Sequence, residues 1–238
     1  MVVWDRSIST EMEIIDRWEN GFGWFAHPDE LGVRASHAIQ GEDGVWVFDP
    51  LEAPGVHDRL AELGTVVGIA VQSNFHARDA ASFAERYDIP VYLPVWMDRV
   101  AERIDAPTER FSAPPGESVD LGASGMMIRT IDPLTFWREA VVYKPTDGTF
   151  RFADMLFNGM QVGNERLACH FFHRFAPPRE QFADFDPERI LLGHGEGVFH
   201  DAAGALEYTL DNARRHLPRA ALRQALPQLI GFVDALRG

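Results

Sequence analysis

One stretch of the sequence constrains the fold more than any other. Thr65 to Val71 reads as a continuously apolar run, of the length and kind expected for a buried strand. It breaks into a polar turn, Gln72-Ser73-Asn74-Phe75-His76-Ala77-Arg78-Asp79. A helix is predicted from about Ala80 to Tyr87, then a short strand from Pro90 to Pro94. That order is a β-turn-α-β unit. Such units collect ligands at the mouth beyond the first strand, so the turn from Gln72 to Asp79 is the first candidate for chemistry.

The rest of the chain has the same mixed character. Gly32 to Ile39 alternates apolar and polar residues as a half-buried strand does, and Gly41-Glu42-Asp43-Gly44 is a hairpin-type turn. Val45 to Phe48 is a strand ending at Asp49-Pro50, and a helix from Val56 to Leu63 puts Val56, Leu60 and Leu63 on one face. Further strands are predicted over Gly125 to Thr130, Trp137 to Lys144 and Thr149 to Met155, the last two joined by a turn at Thr146-Asp147-Gly148. Apolar residues return at helical spacing in Ala202 to His216 and Arg219 to Leu236. Strands and helices interleave in both halves, which favours one α/β domain over 1–238 with a helical tail from about 201. The Pro-rich stretch from Ala106 to Gly116 reads as a linker between halves.

Composition narrows the class. No apolar run reaches the eighteen or so residues of a membrane span, and Met1 to Arg6 lacks the basic-then-apolar order of a secretory signal. Cys169 is the sole cysteine, so no intrachain disulfide can form and a reducing cytoplasm is expected. The formal charge is −14, and Lys144 is the one lysine among 22 basic residues. A surface so acidic and lysine-poor resembles those of extreme halophiles, although a GC-rich genome gives a similar bias. No basic patch is visible, which argues against a nucleic-acid partner; strong salt would weaken phosphate contacts in any case.

Several segments resemble, in order, the metallo-β-lactamase superfamily. Trp46-Val47-Phe48-Asp49-Pro50 looks like its Asp-bearing strand end. Arg59 to Gly64 followed by Val66 to Val71 looks like the helix and strand that precede the Thr-His-x-His-x-Asp-His motif, and the turn Ser73 to Asp79 falls where that motif belongs. Phe83 to Tyr87 and Ile89 to Tyr92 match the helix and strand that follow. Phe152-Ala153-Asp154-Met155-Leu156 and Ile190-Leu191-Leu192-Gly193-His194-Gly195-Glu196 look like the Gly-Asp-Ala-Leu and Gly-His-Gly elements. The resemblance spans roughly 30–215. It implies an αββα four-layer sandwich with a dinuclear metal site, where an activated water attacks an ester, amide or phosphate.

Residue by residue, the implied ligand set is eroded. The first motif histidine falls on Asn74, the motif aspartate on Arg78, and a later histidine on Leu134. His76, Asp154 and His194 are retained, and Asp79 offers an oxygen in place of the last motif histidine. Two histidines and two carboxylates suit at most one divalent ion such as zinc, iron or manganese. Arg78 would repel a cation, or in place of a metal would bind an anion through its planar fork; its alternative is a salt bridge to Asp79, Asp154 or a helix carboxylate. Asp79 and Glu196 are the catalytic candidates, Glu196 as a general base and equally a loop residue between glycines. Asn74 and His200 are placed behind the ligands. His170 and His173 read as packed residues more readily than as a relay pair; His27, His37 and His57 read as surface or packed, and Asp201 as a helix cap.

Two functions stay open at this point. One is a mononuclear metal-dependent hydrolase around His76, Asp79, Asp154 and His194, acting on an unidentified small molecule. The other is an inactive family member that binds a small molecule or anion, or serves as a scaffold. An RNA-processing role needs the intact dinuclear site and loses ground. The oligomeric state is open, with the aromatic-rich Trp18 to Phe25 a candidate surface for a partner.

Overall fold

The computed structural model describes residues 3–134 and 137–237. A seven-stranded sheet is formed by β1 (Glu13–Trp18), β2 (Gly21–Phe25), β3 (Ala35–Gln40), β4 (Val45–Phe48), β5 (Val66–Ala70), β6 (Val91–Pro94) and β7 (Thr108–Phe111), in that spatial order. β1 to β4 are antiparallel neighbours; β4 to β7 are parallel. α1 (Val56–Leu63) and α2 (Ala80–Tyr87) are the crossovers that parallel pairing demands, and both match their predicted spans. Between them lies β5, with a parallel neighbour on each side, which is why its sequence is apolar throughout.

The second sheet comprises β8 (Ser118–Asp120), β9 (Met127–Leu134), β10 (Trp137–Lys144), β11 (Thr149–Phe152) and β14 (Arg189–Leu192), in the order β14-β11-β10-β9-β8. β12 (Leu156–Phe157) and β13 (Ala168–Cys169) form a small separate ribbon. Side chains of both sheets share one core: Ile39, Trp46 and Val47 from the first, with Ile128, Ala140, Val142 and Leu191 from the second. The same core takes in Val56 and Leu60 of α1 and Ala80 and Phe83 of α2. On the second sheet, Phe150, Phe152, Ile190 and Leu192 cluster with Ala202, Ala205, Leu206 and Leu210 of α5 (Ala202–Asn212). Helices thus flank two face-packed sheets in the expected αββα order. Short helices α3 (Asp98–Ala101) and α4 (Arg179–Phe182), then α6 (Leu217–Arg223) and α7 (Ala225–Arg237), complete the fold. Among the described residues no helix is long and apolar enough to cross a membrane.

Four expectations are revised. The stretch Ala106 to Gly116 is not a linker, because it contains β7, paired in parallel with β6 from Val91↔Thr108 to Pro94↔Phe111. Its prolines flank the strand, and an edge strand tolerates them there. Trp18 to Phe25 is not a free aromatic surface: it forms the β1–β2 hairpin, and Trp24 is fully buried with Nε1 donating to Leu51 O at 2.9 Å. The strand from Thr149 stops at Phe152, since the next three amides bind a carboxylate instead of a neighbouring strand. Finally, the helix from Ala202 ends at Asn212, and the final helical stretch divides at Gln224 into α6 and α7.

The two sheets touch directly at one edge. Ser73, just past β5, bridges to Glu139 in β10, and Ala140 N donates to Gln72 O at 2.9 Å. The loops after β5, β11 and β14 all emerge at this edge.

Candidate metal centre

Each of those three loops delivers one side chain to the same point. His76 Nε2 lies 3.0 Å and His194 Nε2 3.1 Å from the same oxygen, Asp154 Oδ1. The candidate ligand atoms all fall within 4.8 Å of one another. Ser73 Oγ donates to the other oxygen, Asp154 Oδ2, at 2.5 Å. The side chains are 7%, 14% and 13% exposed for His76, His194 and Asp154, so the cluster is screened from bulk water but not sealed.

Backbone geometry explains why the chain can bring them together. Gly193 N donates to Phe152 O at 2.8 Å, and a Cβ on Gly193 would stand 2.3 Å from Ala153 O. Only glycine lets the Asp154 and His194 loops approach this closely. Glu139 then fixes the Asp154 loop from below: its buried carboxylate accepts the amides of Ala153, Asp154 and Met155 at 2.7, 2.8 and 2.6 Å. His194 Nδ1 meets Gly32 O at 2.7 Å, which sets the ring's orientation. His76 Nδ1 is buried and makes no hydrogen bond, although Asp49 Oδ2 lies 3.3 Å away.

Behind the cluster a buried polar chain ties the two sheets together. Arg151, between Phe150 and Phe152 on β11, reaches across to Asp49 Oδ2 at 2.7 Å, to the Gln72 side chain, and to His37 Nδ1 at 3.2 Å. Asp49 Oδ1 accepts the Gln72 amide at 2.9 Å, and His37 Nε2 is 3.0 Å from Asp16.

The electrostatics follow from this packing. Burial alone would raise the Asp154 carboxyl; the charge of the neighbouring His76 and its hydrogen bond, with the His194 ring against the same oxygen, overcome it and hold Asp154 well below the usual range. Burial raises Asp49 too, but Arg151, His76 and Arg78 reverse the sign and lower it. For His76, burial and Arg78 work against the charged form, and Asp154 and Asp49 outweigh them, so its pKa is raised. His194 is lowered, burial prevailing over Asp154. Glu139 is pushed up to about 8, mainly by burial and then by the charge of Asp154, against the pull of its three N–H donors.

The remaining sequence candidates go elsewhere. Asp79 does not join the cluster: its Oδ2 accepts the Glu52 amide at 2.7 Å, pinning the start of α2 to the loop after β4. Arg78 is turned toward backbone carbonyls and forms no hydrogen bond with the expected acids. Its guanidinium donates to three backbone carbonyls, Ala35 at 2.7 Å, Asp49 at 2.9 Å and Gly193 at 3.2 Å, and burial lowers its pKa to about 10. Asn74 Oδ1 accepts the Val100 amide at 3.1 Å, away from the ligands. Glu196 and His200 are exposed, and each is tied by its backbone carbonyl, to Asn158 and Arg166 respectively. Leu134 ends β9 and supplies no ligand. Asp201 precedes α5 without a side-chain capping bond.

His170 and His173 are packed, as the sequence suggested. Their rings lie 4.6 and 5.4 Å from Trp137, and burial lowers them to about 3 and about 4. Trp137 in turn stacks on Phe232 of α7 at 5.3 Å, and Trp4 lies 5.5 Å from the His194 ring. An aromatic wall therefore flanks the cluster.

Sequence reasoning missed Ser73, Glu139 and Arg151 as contributors. The signal was there for one of them: Arg151 is the only charge in its short strand, set between two phenylalanines, and a buried charge needs a specific partner.

No protein-family model matches the sequence, and no curated protein matches it. Among solved structures the chain is similar to the DIM-1 metallo-beta-lactamase exposed to ceftazidime, with a TM-score of 0.60 and 12% identity, over 87% of this chain and 98% of that one. It is similar to TMB-1, also at 0.60 and 12%, over 85% and 98%. A metallo-beta-lactamase from Hirschia baltica aligns at 0.59 with 10% identity, over 84% and 98%. Identity this low with near-complete coverage establishes the architecture: the chain has the metallo-β-lactamase fold.

Proposed function

We propose that, on this metallo-β-lactamase fold, His76, Asp154 and His194 hold a single divalent cation, zinc, iron or manganese, and that the protein hydrolyses a small molecule. The observation that carries this reading is the His194 hydrogen bond to Gly32 O. A neutral ring with its proton on Nδ1 turns the Nε2 lone pair toward Asp154, an arrangement that suits a shared cation and not a bare carboxylate. Two imidazoles with one carboxylate and open positions match a recognised mononuclear donor set. Among the described residues no second group of ligands stands beside it, and Asn74, Arg78 and Asp79 are all engaged with backbone groups.

When bound, such a cation would supply Lewis-acid activation of water and of the scissile bond. The protein's own part is positioning. Ser73 occupies one oxygen of Asp154 and leaves the other facing the histidines. Glu139 keeps the Asp154 loop from relaxing, and Arg78 locks the His194 loop to the first sheet through Gly193 O.

The second reading, a metal-free binding or scaffold protein, draws on the Trp4 ring against His194. Elemental analysis of protein purified in high salt decides between them. About one equivalent of metal, lost in His76→Ala and His194→Ala, is expected for the hydrolase. Metal-free protein whose stability those substitutions leave unchanged would rule it out. The high-salt condition reflects the acidic, lysine-poor composition, which we read as halophilic; a cytoplasmic location fits the single buried thiol.

A further inference from the structure

We propose that a cavity at the α5–α6 junction is a binding site for the phosphate group of a small organic phosphate. The cavity has a volume of about 440 Å³ and is lined by Gly163, Asn164, Tyr208, Arg215, His216 and Arg219. That is room for a phosphate with a modest organic body. None of its lining residues belongs to the His76–Asp154–His194 cluster.

The lining is rich in donors and free of carboxylates, on a chain whose net charge is −14. Arg215 and Arg219 stand four residues apart and form no ion pair or hydrogen bond with any described side chain or backbone group. Tyr208 and Asn164 likewise have uncommitted polar side chains. Unpaired exposed arginines alone would be an ordinary solvated surface. His216 makes the difference, because it is 94% buried and aimed by its surroundings (6% exposed).

Its Nδ1 is 3.0 Å from Glu165 Oε1, and Glu165 is itself clamped by Arg174 at 2.6 and 2.9 Å. The acid behind the ring is thus already neutralised by Arg174 and does not project negative charge into the cavity. The opposite ring edge, with Nε2 unpartnered, faces Gly163, where a Cβ would stand 3.0 Å from Cε1 and Nε2. Gly163 also has φ of 66°, the left-handed region that favours glycine. Arg215, Arg219 and the Tyr208 hydroxyl supply the converging donors that a tetrahedral oxyanion takes, and the held His216 ring, kept open by Gly163, offers Nε2 to the P–OH of a monoprotonated phosphate.

Calorimetric titration of the full chain with phenyl phosphate, and separately with inorganic phosphate, tests this. One saturable site is expected for each, with tighter binding of phenyl phosphate if the cavity also takes the organic body. Arg215→Gln/Arg219→Gln should weaken both by about tenfold or more, while an exposed control pair elsewhere, Arg86→Gln/Arg103→Gln, should not. Tyr208→Phe should weaken binding severalfold. His194→Ala should leave it unchanged. Absence of saturable binding to the intact chain overturns the proposal. So does affinity that survives Arg215→Gln/Arg219→Gln, or that is lost with His194→Ala. All the arginine substitutions are at exposed positions, and a matching melting transition confirms that the variants are folded.

Discussion

Arg151 Nη1 lies 2.7 Å from Asp49 Oδ2, and neither side chain is exposed to solvent. Asp49 directly follows β4 of the first sheet and Arg151 lies on β11 in the second, so this pair bolts the sandwich together directly behind the ligand cluster. Removing either charge strands the other in a dry interior. Asp49→Asn or Arg151→Met should each destabilise the protein by about 3–5 kcal/mol in urea unfolding. The double variant should recover a substantial part of that loss, because replacing both partners leaves no orphaned charge. A purely additive double variant would show that the pair is not coupled.

Glu139 touches neither proposed ligand side chain of the histidines, yet it holds the loop that carries Asp154. Glu139→Gln puts an amide N–H₂ where the carboxylate accepts three backbone amides. Stability should fall by about 1–3 kcal/mol, and metal affinity by about 10- to 100-fold, as for partners that orient a ligand without binding metal. Metal titration of a variant shown to be folded would separate these two effects.

The buried histidines set a pH dependence for the metal-free protein. His170 and His173 titrate at about 3 and about 4 when folded, against an ordinary 6.5, so the unfolded chain binds more protons between those values. Their contribution is complete above about pH 6.5 and is lost as pH falls, at up to about 1.4 kcal/mol per pH unit for each. His76 is raised and has the opposite sign: its contribution is complete below its ordinary value and is lost as pH rises through its folded value. Unfolding free energy should therefore be highest near neutral pH. Replacing His170 and His173 by phenylalanine should flatten the acid limb of the curve, whatever it does to the absolute stability.

Trp4 leans on His194 and donates Nε1 to Gly231 O at 3.2 Å, linking the N-terminal segment to α7 beside the cluster. Trp4→Ala should quicken metal loss to a chelator severalfold and cost about 1–2 kcal/mol, since the ring is only partly buried. Unchanged release kinetics would show that this indole does not limit access.

Much of the scaffold was legible in the sequence. The strand at Val45–Phe48 and the helices at Val56–Leu63 and Ala80–Tyr87 fall where periodicity and turn residues put them, because those signals act over a few residues. The ordered motifs also implied which residues would meet: His76, Asp154 and His194 do converge. Tertiary structure decided the rest. Arg78 finds Gly193 O, Asp79 finds the Glu52 amide, Glu139 finds the Asp154 loop, and Arg151 finds Asp49. Each choice depends on which groups a closed sandwich leaves without water. A buried charge must take whatever partner the packing offers, and partners 15 to 115 residues away leave no local trace in the chain.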